Sequence, residues 1–218
     1  MVILLCLETA TTNCSVALSK DGSVIALRED TSKQYSHAEV LHVFIEEVLA
    51  EAKLSSSALD AVAISKGPGS YTGLRIGVSA AKGLCYALGI PLISVPTLQI
   101  LAHQTSVANY VVPMLDARRM EAYTAVYDTK FVQIRDTKAE IISGQSFDEY
   151  LAKGTVCFLG SGAQKFQELC DHQNAIFQTD VLPSAKDMIG MAEEKFENKE
   201  FEDVAYFEPF YLKDFVKG

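Results

Sequence analysis

Gly67-Pro68-Gly69-Ser70 runs directly into Tyr71-Thr72-Gly73-Leu74-Arg75-Ile76-Gly77, behind the apolar stretch Ala61-Val62-Ala63-Ile64. A strand, a glycine-rich turn and a helix is the layout that cradles phosphate, because a helix N-terminus offers free N–H groups and partial positive charge. Neither phosphate fingerprint is completed. No glycine here is followed by Lys and then a hydroxyl residue, and Thr72 stands where Gly-x-Gly-x-x-Gly needs its third glycine. Gly73, Gly77 and Gly83 instead fall inside a segment that reads helical through about Leu88, each costing about 1 kcal/mol relative to Ala. With Ala80, Ala81 and Ala87 they make a smooth helix face at spacings of three and four, which lets another backbone approach closely. Close packing is the expectation here, rather than a phosphate site.

Other residue types that could do chemistry are scattered. His37 and His42 are five apart on one helix, about 140° around its axis, and cannot chelate one metal as an i, i+4 pair does. Both are expected to be solvated helix residues, and His103 and His172 are isolated. No Gly-x-Ser-x-Gly elbow is present, and the five cysteines (Cys6, Cys14, Cys85, Cys157, Cys170) form no Cys-x-x-Cys pair. They are expected to be reduced, buried and inert. Asp116-Ala117-Arg118-Arg119-Met120-Glu121 concentrates charge at a strand end, where α/β sites often lie; a β-turn with an internal Asp–Arg pair accounts for it equally well.

The elements that must position these residues follow from patterning. At 218 residues and 49% hydrophobic, the chain can bury a proper core in one large or two small domains. Its net charge of −9 argues against independent nucleic-acid binding, which needs Lys and Arg to neutralise phosphate. Met1–Leu7 is apolar but has no basic preceding region and is interrupted by Glu8, so it reads as a first strand and not a signal peptide. Strands are expected at Val2–Glu8, Cys14–Lys20 and Val24–Arg28, the last two joined by an Asp21-Gly22 hairpin turn. Ser36-x-x-Glu39 caps a helix whose Leu41, Phe44, Ile45, Val48, Leu49 and Ala52 share one face. A strand at Ala61–Ser65, the glycine-rich helix, a strand at Pro91–Val95 and a helix from about Pro96 follow.

Near Thr105–Tyr110 the pattern restarts, with strands expected at Val111–Asp116, Glu121–Asp128, Phe131–Arg135 and Ala139–Ser143. A helix capped by Ser146-x-x-Glu149, a strand at Thr155–Leu159, the Gly160-Ser161-Gly162 turn and another helix come next. The last helix runs from Ser184 to about Asn198 behind a Ser-x-x-Asp cap. Two related lobes, each a β-meander continued by β and α elements, would account for the restart.

Four blocks, in order along nearly the whole chain, carry a family resemblance: Met1–Ala17 with Glu8-Thr9-Ala10-Thr11-Thr12-Asn13-Cys14-Ser15-Val16-Ala17; Gly67–Gly77; Asp116–Tyr123; and Glu208-Pro209-Phe210-Tyr211-Leu212. Together they resemble the bacterial tRNA threonylcarbamoyladenosine biosynthesis family TsaB, also called YeaZ, and the second block is the most specific of the four. The resemblance implies an α/β actin-like ATPase (ribonuclease H-like) fold of two related lobes, each a mixed sheet flanked by helices. Residues 1–104 would form the first lobe and 105–218 the second, whose extreme C-terminus is free to return to the first. It also implies a cytoplasmic, non-catalytic relative of TsaD, the subunit that transfers the threonylcarbamoyl group to the adenosine beside the anticodon. TsaD carries a metal-ligating histidine pair that has no match here, so neither a metal site nor a catalytic residue is expected.

In ATPases of the fold the first hairpin carries Asp-x-Gly. Here Glu8-Thr9-Ala10 stands there, with a methyl where glycine would let backbone approach phosphate. Glu8, Thr9, Thr11, Gly160 and Gly162 are therefore the expected remains of a nucleotide site. No cofactor is expected, and weak or partner-dependent nucleotide binding is left open. The implied partners are a TsaD-like catalytic subunit, a TsaE-like ATPase, a second copy of the chain when alone, and tRNA only through the complex. The implied interface is built on the helices Ser36–Lys53 and Ser70–Leu88, through Tyr71, Thr72, Gly73, Arg75, Ile76, Gly77, Ser79, Ala80, Gly83 and His42. The rival classes are an active small ATPase or kinase of the same fold, which would favour Gly at position 10, and a glycoprotease-like peptidase, which needs a metal pair or an activated nucleophile.

Overall fold

The structure, a computed structural model, describes residues 1–32, 37–105 and 107–213. The chain divides into two compact units: Met1–Thr97 with Pro183–Tyr211, and Leu98–Leu182 with Leu212 and Lys213.

In the first unit, β1 (Ile3–Glu8), β2 (Cys14–Lys20) and β3 (Ser23–Asp30) form an antiparallel meander. Asp21 and Gly22 both take positive φ at the β2–β3 turn, the two-residue hairpin geometry that an Asp-Gly pair favours. After α1 (His37–Glu51), β4 (Ala61–Ser65) joins β1 in parallel; after α2 (Tyr71–Leu88), β5 (Leu92–Val95) joins β4 in parallel. The sheet order is β3-β2-β1-β4-β5. Every residue of β1 and β4 is buried, as expected of near-continuous apolar strands covered on both faces. One cover is α1 and α2, whose Leu41, Ile45, Val48, Val78 and Cys85 pack with Leu5, Leu7, Val16, Val62 and Ile64 in a single core. The expected Ser36 cap of α1 lies outside the described residues.

α3 (Thr97–Ala102) carries the chain into the second unit. There β6 (Tyr110–Asp116), β7 (Glu121–Asp128) and β8 (Gln133–Ile141) form a second antiparallel meander. α4 (Asp148–Leu151), β9 (Val156–Leu159), α5 (Ala163–Gln167) and β10 (Ala175–Gln178) complete it, with β9 parallel to β6 and β10 parallel to β9. The order β8-β7-β6-β9-β10 repeats that of the first unit strand for strand. Phe147, Phe158, Phe166 and Phe177 stack in its core. The two lobes with mixed sheets and flanking helices are thus as the resemblance implies.

Four local expectations are corrected. Pro183–Tyr211 belongs to the first unit and not the second. Its 3₁₀ turn (Ala185–Met188) and α6 (Ile189–Glu197) bury Ala185, Met188, Ile189 and Ala192 as the second cover of the first sheet, packing on β1, β2 and β5. The two strands expected at 131–135 and 139–143 are the single β8, which passes irregularities in its pairing with β7. β10 has no forerunner among the expected strands, since four residues without alternation carry no strand signal. Ser146 does not cap α4: its Oγ accepts the Ser143 N–H at 3.0 Å, and the helix starts behind Phe147 at φ +69°. Among the described residues no helix is long and apolar enough to cross a membrane.

Candidate functional site

β1 ends on Glu8 and turns back into β2 through residues 9–13. Glu8 is fully buried, and its Oε1 accepts the Ala10 N–H at 2.6 Å and the Ser65 hydroxyl at 2.9 Å. Oε2 is also buried and accepts no hydrogen bond. Burial pushes this carboxyl up to about 7; the Ala10 and Ser65 hydrogen bonds oppose the rise, and the Asp187 charge adds to it. Asp187, on the covering 3₁₀ turn, is itself raised to about 6, mainly by burial. A carboxyl titrating near 7 suits general acid–base work, but this one has no exposed surface to offer a substrate.

The turn of residues 9–13 is held against the start of α2. Ser70 donates its N–H to the Ala10 carbonyl at 2.7 Å, and Ser70 Oγ accepts the Gly73 N–H as N-cap. A β-carbon on Gly69 would lie 2.7 Å from that of Ala10. One on Gly73 would collide with the Thr9 carbonyl, and one on Gly77 with the Thr9 hydroxyl and, at 2.9 Å, with Ile64. The close neighbour of the glycine face is therefore the chain's own β1–β2 turn. This corrects the interface expected from sequence: Gly73, Gly77 and Ala80 are buried inside the first unit and cannot also meet a partner. His37 is likewise buried, not solvated. Its Nε2–H donates to the Thr11 carbonyl at 2.7 Å and ties the start of α1 to the same turn.

Different residues of α2 face outward. Thr72, Arg75, Ser79, Gly83 and Tyr86 are exposed and Ile76 is half-buried, while a β-carbon on Gly83 would meet nothing within 4 Å. On α1, His42 and Val43 are exposed. Beside α2 runs Asp203–Tyr211, a strap without regular structure. Lys82 Nζ donates to the Ala205 and Phe207 carbonyls (3.2 and 2.9 Å), and the Phe210 N–H donates to the Lys66 carbonyl at 2.7 Å. The Arg75 guanidinium lies 4.2 Å above the Tyr71 ring and its Nε–H donates to the Tyr211 hydroxyl at 3.3 Å. A groove of about 450 Å³ opens between α2 and the strap, with Arg75, Val78, Ser79 and Lys82 on one wall and Phe207, Glu208, Pro209 and Tyr211 on the other. The strap's role is not legible in the sequence, although Glu208-Pro209-Phe210-Tyr211 stood out as a block.

In the second unit, Gly160 takes φ +105°, and its β-carbon would lie 2.5 Å from Leu101 and from the Met114 carbonyl. Gly162 packs on the Met114–Leu115 backbone and donates its N–H to the Met114 carbonyl at 2.9 Å. Their glycine identity is accounted for by contact with the end of β6, just as Gly69 and Gly73 meet the turn that follows β1. Glu8, Thr9 and Thr11 thus lie in one unit and Gly160 and Gly162 in the other. Asp116 accepts the Arg118 backbone N–H at 2.6 Å and pairs with Lys165 at 2.9 Å, so the turn is braced by lysine and not by an arginine side chain. Among the described residues no three of His, Cys, Asp and Glu are grouped to hold a metal ion. Cys6, Cys14, Cys85 and Cys157 are buried free thiols, the first two pushed up to about 12 by burial, whereas Cys170, expected buried, is half-buried.

Residues 29–216 match the family model described as TsaD, tRNA N6-adenosine threonylcarbamoyltransferase. The tRNA threonylcarbamoyladenosine biosynthesis protein TsaB of Escherichia coli K12 is 30% identical over 98% of this chain and 95% of its own length. A Pseudomonas aeruginosa crystal structure, of a protein described by its similarity to the peptidase YeaZ, superposes with a TM-score of 0.86 at 28% identity, covering 98% of this chain and all of that one. The activator of 2-hydroxyisocaproyl-CoA dehydratase from Clostridium difficile, solved with ADPNP, superposes at 0.52 and 10% identity over 93% of this chain and 99% of its own, a likeness of actin-like fold alone.

Proposed function

The chain belongs to the TsaB family of tRNA threonylcarbamoyladenosine biosynthesis proteins, within the wider TsaD family, and on that premise we propose that it is a non-catalytic subunit that scaffolds a TsaD-like transferase. The observation that carries this reading is the division of labour on α2. Its inner glycines are spent on the β1–β2 turn, while Thr72, Ile76, Ser79 and Gly83 leave an outward stripe with low side-chain relief for a partner helix. His42 and Val43 are exposed on α1, which packs against α2. The same packing supports the non-catalytic part of the reading. The turn that would face phosphate is occupied by Ala10 against Gly69, and Glu8 is sealed beneath it. A TsaE-like ATPase and tRNA join through the assembled complex, in the cytoplasm, and the free chain pairs with a second copy through the same stripe.

Co-purification with the TsaD-like protein of the same organism tests the reading. Wild type should co-elute; Gly83→Leu should stay folded and fail to, and so should Ile76→Asp, whose melting curve is the control because Ile76 also touches the core. The isolated chain should show no ATPase, peptidase or threonylcarbamoyl-transfer turnover above background. Saturable turnover abolished by Glu8→Gln would overturn the pseudo-enzyme reading.

A further inference from the structure

We infer that the groove between α2 and the strap is a docking site for a carboxylate on a helix of the transferase partner, with Arg75 as the residue that selects it. This rests on the reading of α2 as the partner-facing helix and adds what that face recognises. Arg28 and Arg135 each pair with a carboxylate of this chain, Glu47 and Glu140 respectively. Arg75, like Arg118 and Arg119, makes no ion pair among the described residues, although Glu208 lines the same groove. The side chain is nonetheless held in place. Its plane lies on Tyr71, its Nε–H is directed at Tyr211, and the two tyrosine rings sit 4.9 Å apart. The rotamer entropy of the long arginine side chain is thus largely given up before any partner arrives. A pre-oriented guanidinium fork fits the two oxygens of a carboxylate better than a lysine ammonium does.

Lys82, two turns further along α2, also makes no ion pair among the described residues; it donates to two strap carbonyls. The two cations share the groove with a single carboxylate, Glu208, in a chain of net charge −9. The groove lining also includes the apolar Val78 and Phe207, which suits an acidic residue flanked by an aliphatic one. A phosphate would also satisfy the fork. However, the net negative charge and Glu208 on the groove wall repel a polyanion such as tRNA more strongly than a single carboxylate on a helix.

The test measures dissociation constants between the full chain and the TsaD-like subunit at two salt concentrations, with melting curves as a control on folding. Arg75→Lys keeps the charge and loses the fork. It should weaken binding about tenfold, and Arg75→Glu about a hundredfold or more. Tyr211→Phe should weaken it a few-fold, and the salt dependence seen in wild type should flatten in Arg75→Ala. Reversing one acidic residue on the partner's docking helix to Arg should restore binding to Arg75→Glu. If the Arg75 variants bind as wild type while Gly83→Leu and Ile76→Asp do not, the carboxylate site is wrong and the docking face stands. If all of them bind as wild type, both are wrong. Loss of tRNA binding by the complex, or of self-association alone, with the binary affinity unchanged also overturns the carboxylate assignment.

Discussion

Thr9 places its carbonyl and its hydroxyl where β-carbons on residues 73 and 77 would otherwise sit, so the worth of a methyl group on α2 depends on which side it enters. Gly77→Ala gains about 1 kcal/mol of helix propensity and loses more by overpacking against Thr9 and Ile64, which typically costs 1–3 kcal/mol. A lowered melting temperature is expected. Gly83→Ala enters open space, keeps only the propensity gain and should melt about 2–4 °C higher. Glu8 gives a pH signature. Its ordinary value near 4.5 is raised to about 7 in the folded chain, so the stability linked to its protonation is full below 4.5 and is lost as pH rises through 7. The loss approaches about 3 kcal/mol. Glu8→Gln cannot ionise, so its stability relative to wild type should be greater at pH 8 than at pH 5 in parallel urea titrations. A constant difference would mean that the carboxyl is not shielded as described. Interior glycines on α2 were visible in the sequence, and so was the need for something to pack against them. What packs there was not, because the contact joins residues more than sixty positions apart and no local pattern encodes it.

Among the elements, α2 has two working sides, and the strap is what makes the second side more than a bare helix. Lys82 holds that strap through two carbonyls, so Lys82→Met should loosen Asp203–Tyr211 with little effect on the core. Hydrogen exchange at Ala205–Tyr211 should rise while the amides of β1 and β4 stay protected; equal loosening of both would mean the strap is part of the core's cooperative unit. Elements with strong periodicity or strong turn chemistry were legible at once: β1, β2, β4, β7, α1, α2 and the Asp21-Gly22 turn. The strap has neither, being set by tertiary contacts alone. From sequence β8 reads as two strands, because its polar, half-exposed residues break the alternation that a one-sided strand would show.

For the whole molecule, charge governs what it can bind unaided. With a net charge of −9, the isolated chain should bind tRNA more weakly than micromolar near 0.15 M salt, and a complex with a more basic subunit should bind tightly; a gel shift at graded salt measures both. The repeat of one strand order in both units was legible as a restart of the pattern near residue 105. The return of residues 183–211 to the first unit was not, because a short amphipathic helix carries no label for the sheet it will cover. That return bears on how the chain is made. The first sheet is complete by Val95, yet its second cover begins only at Pro183, with an entire second unit synthesised in between. At ribosomal speeds of about 5–20 residues per second, one apolar face of β1, β2 and β5 waits uncovered for several seconds, while the second unit has all its strands to hand and can fold first. The first part of the chain to be synthesised is thus among the last to be finished, and a nascent chain halted after Leu182 should be a client for chaperones where the full-length chain is not.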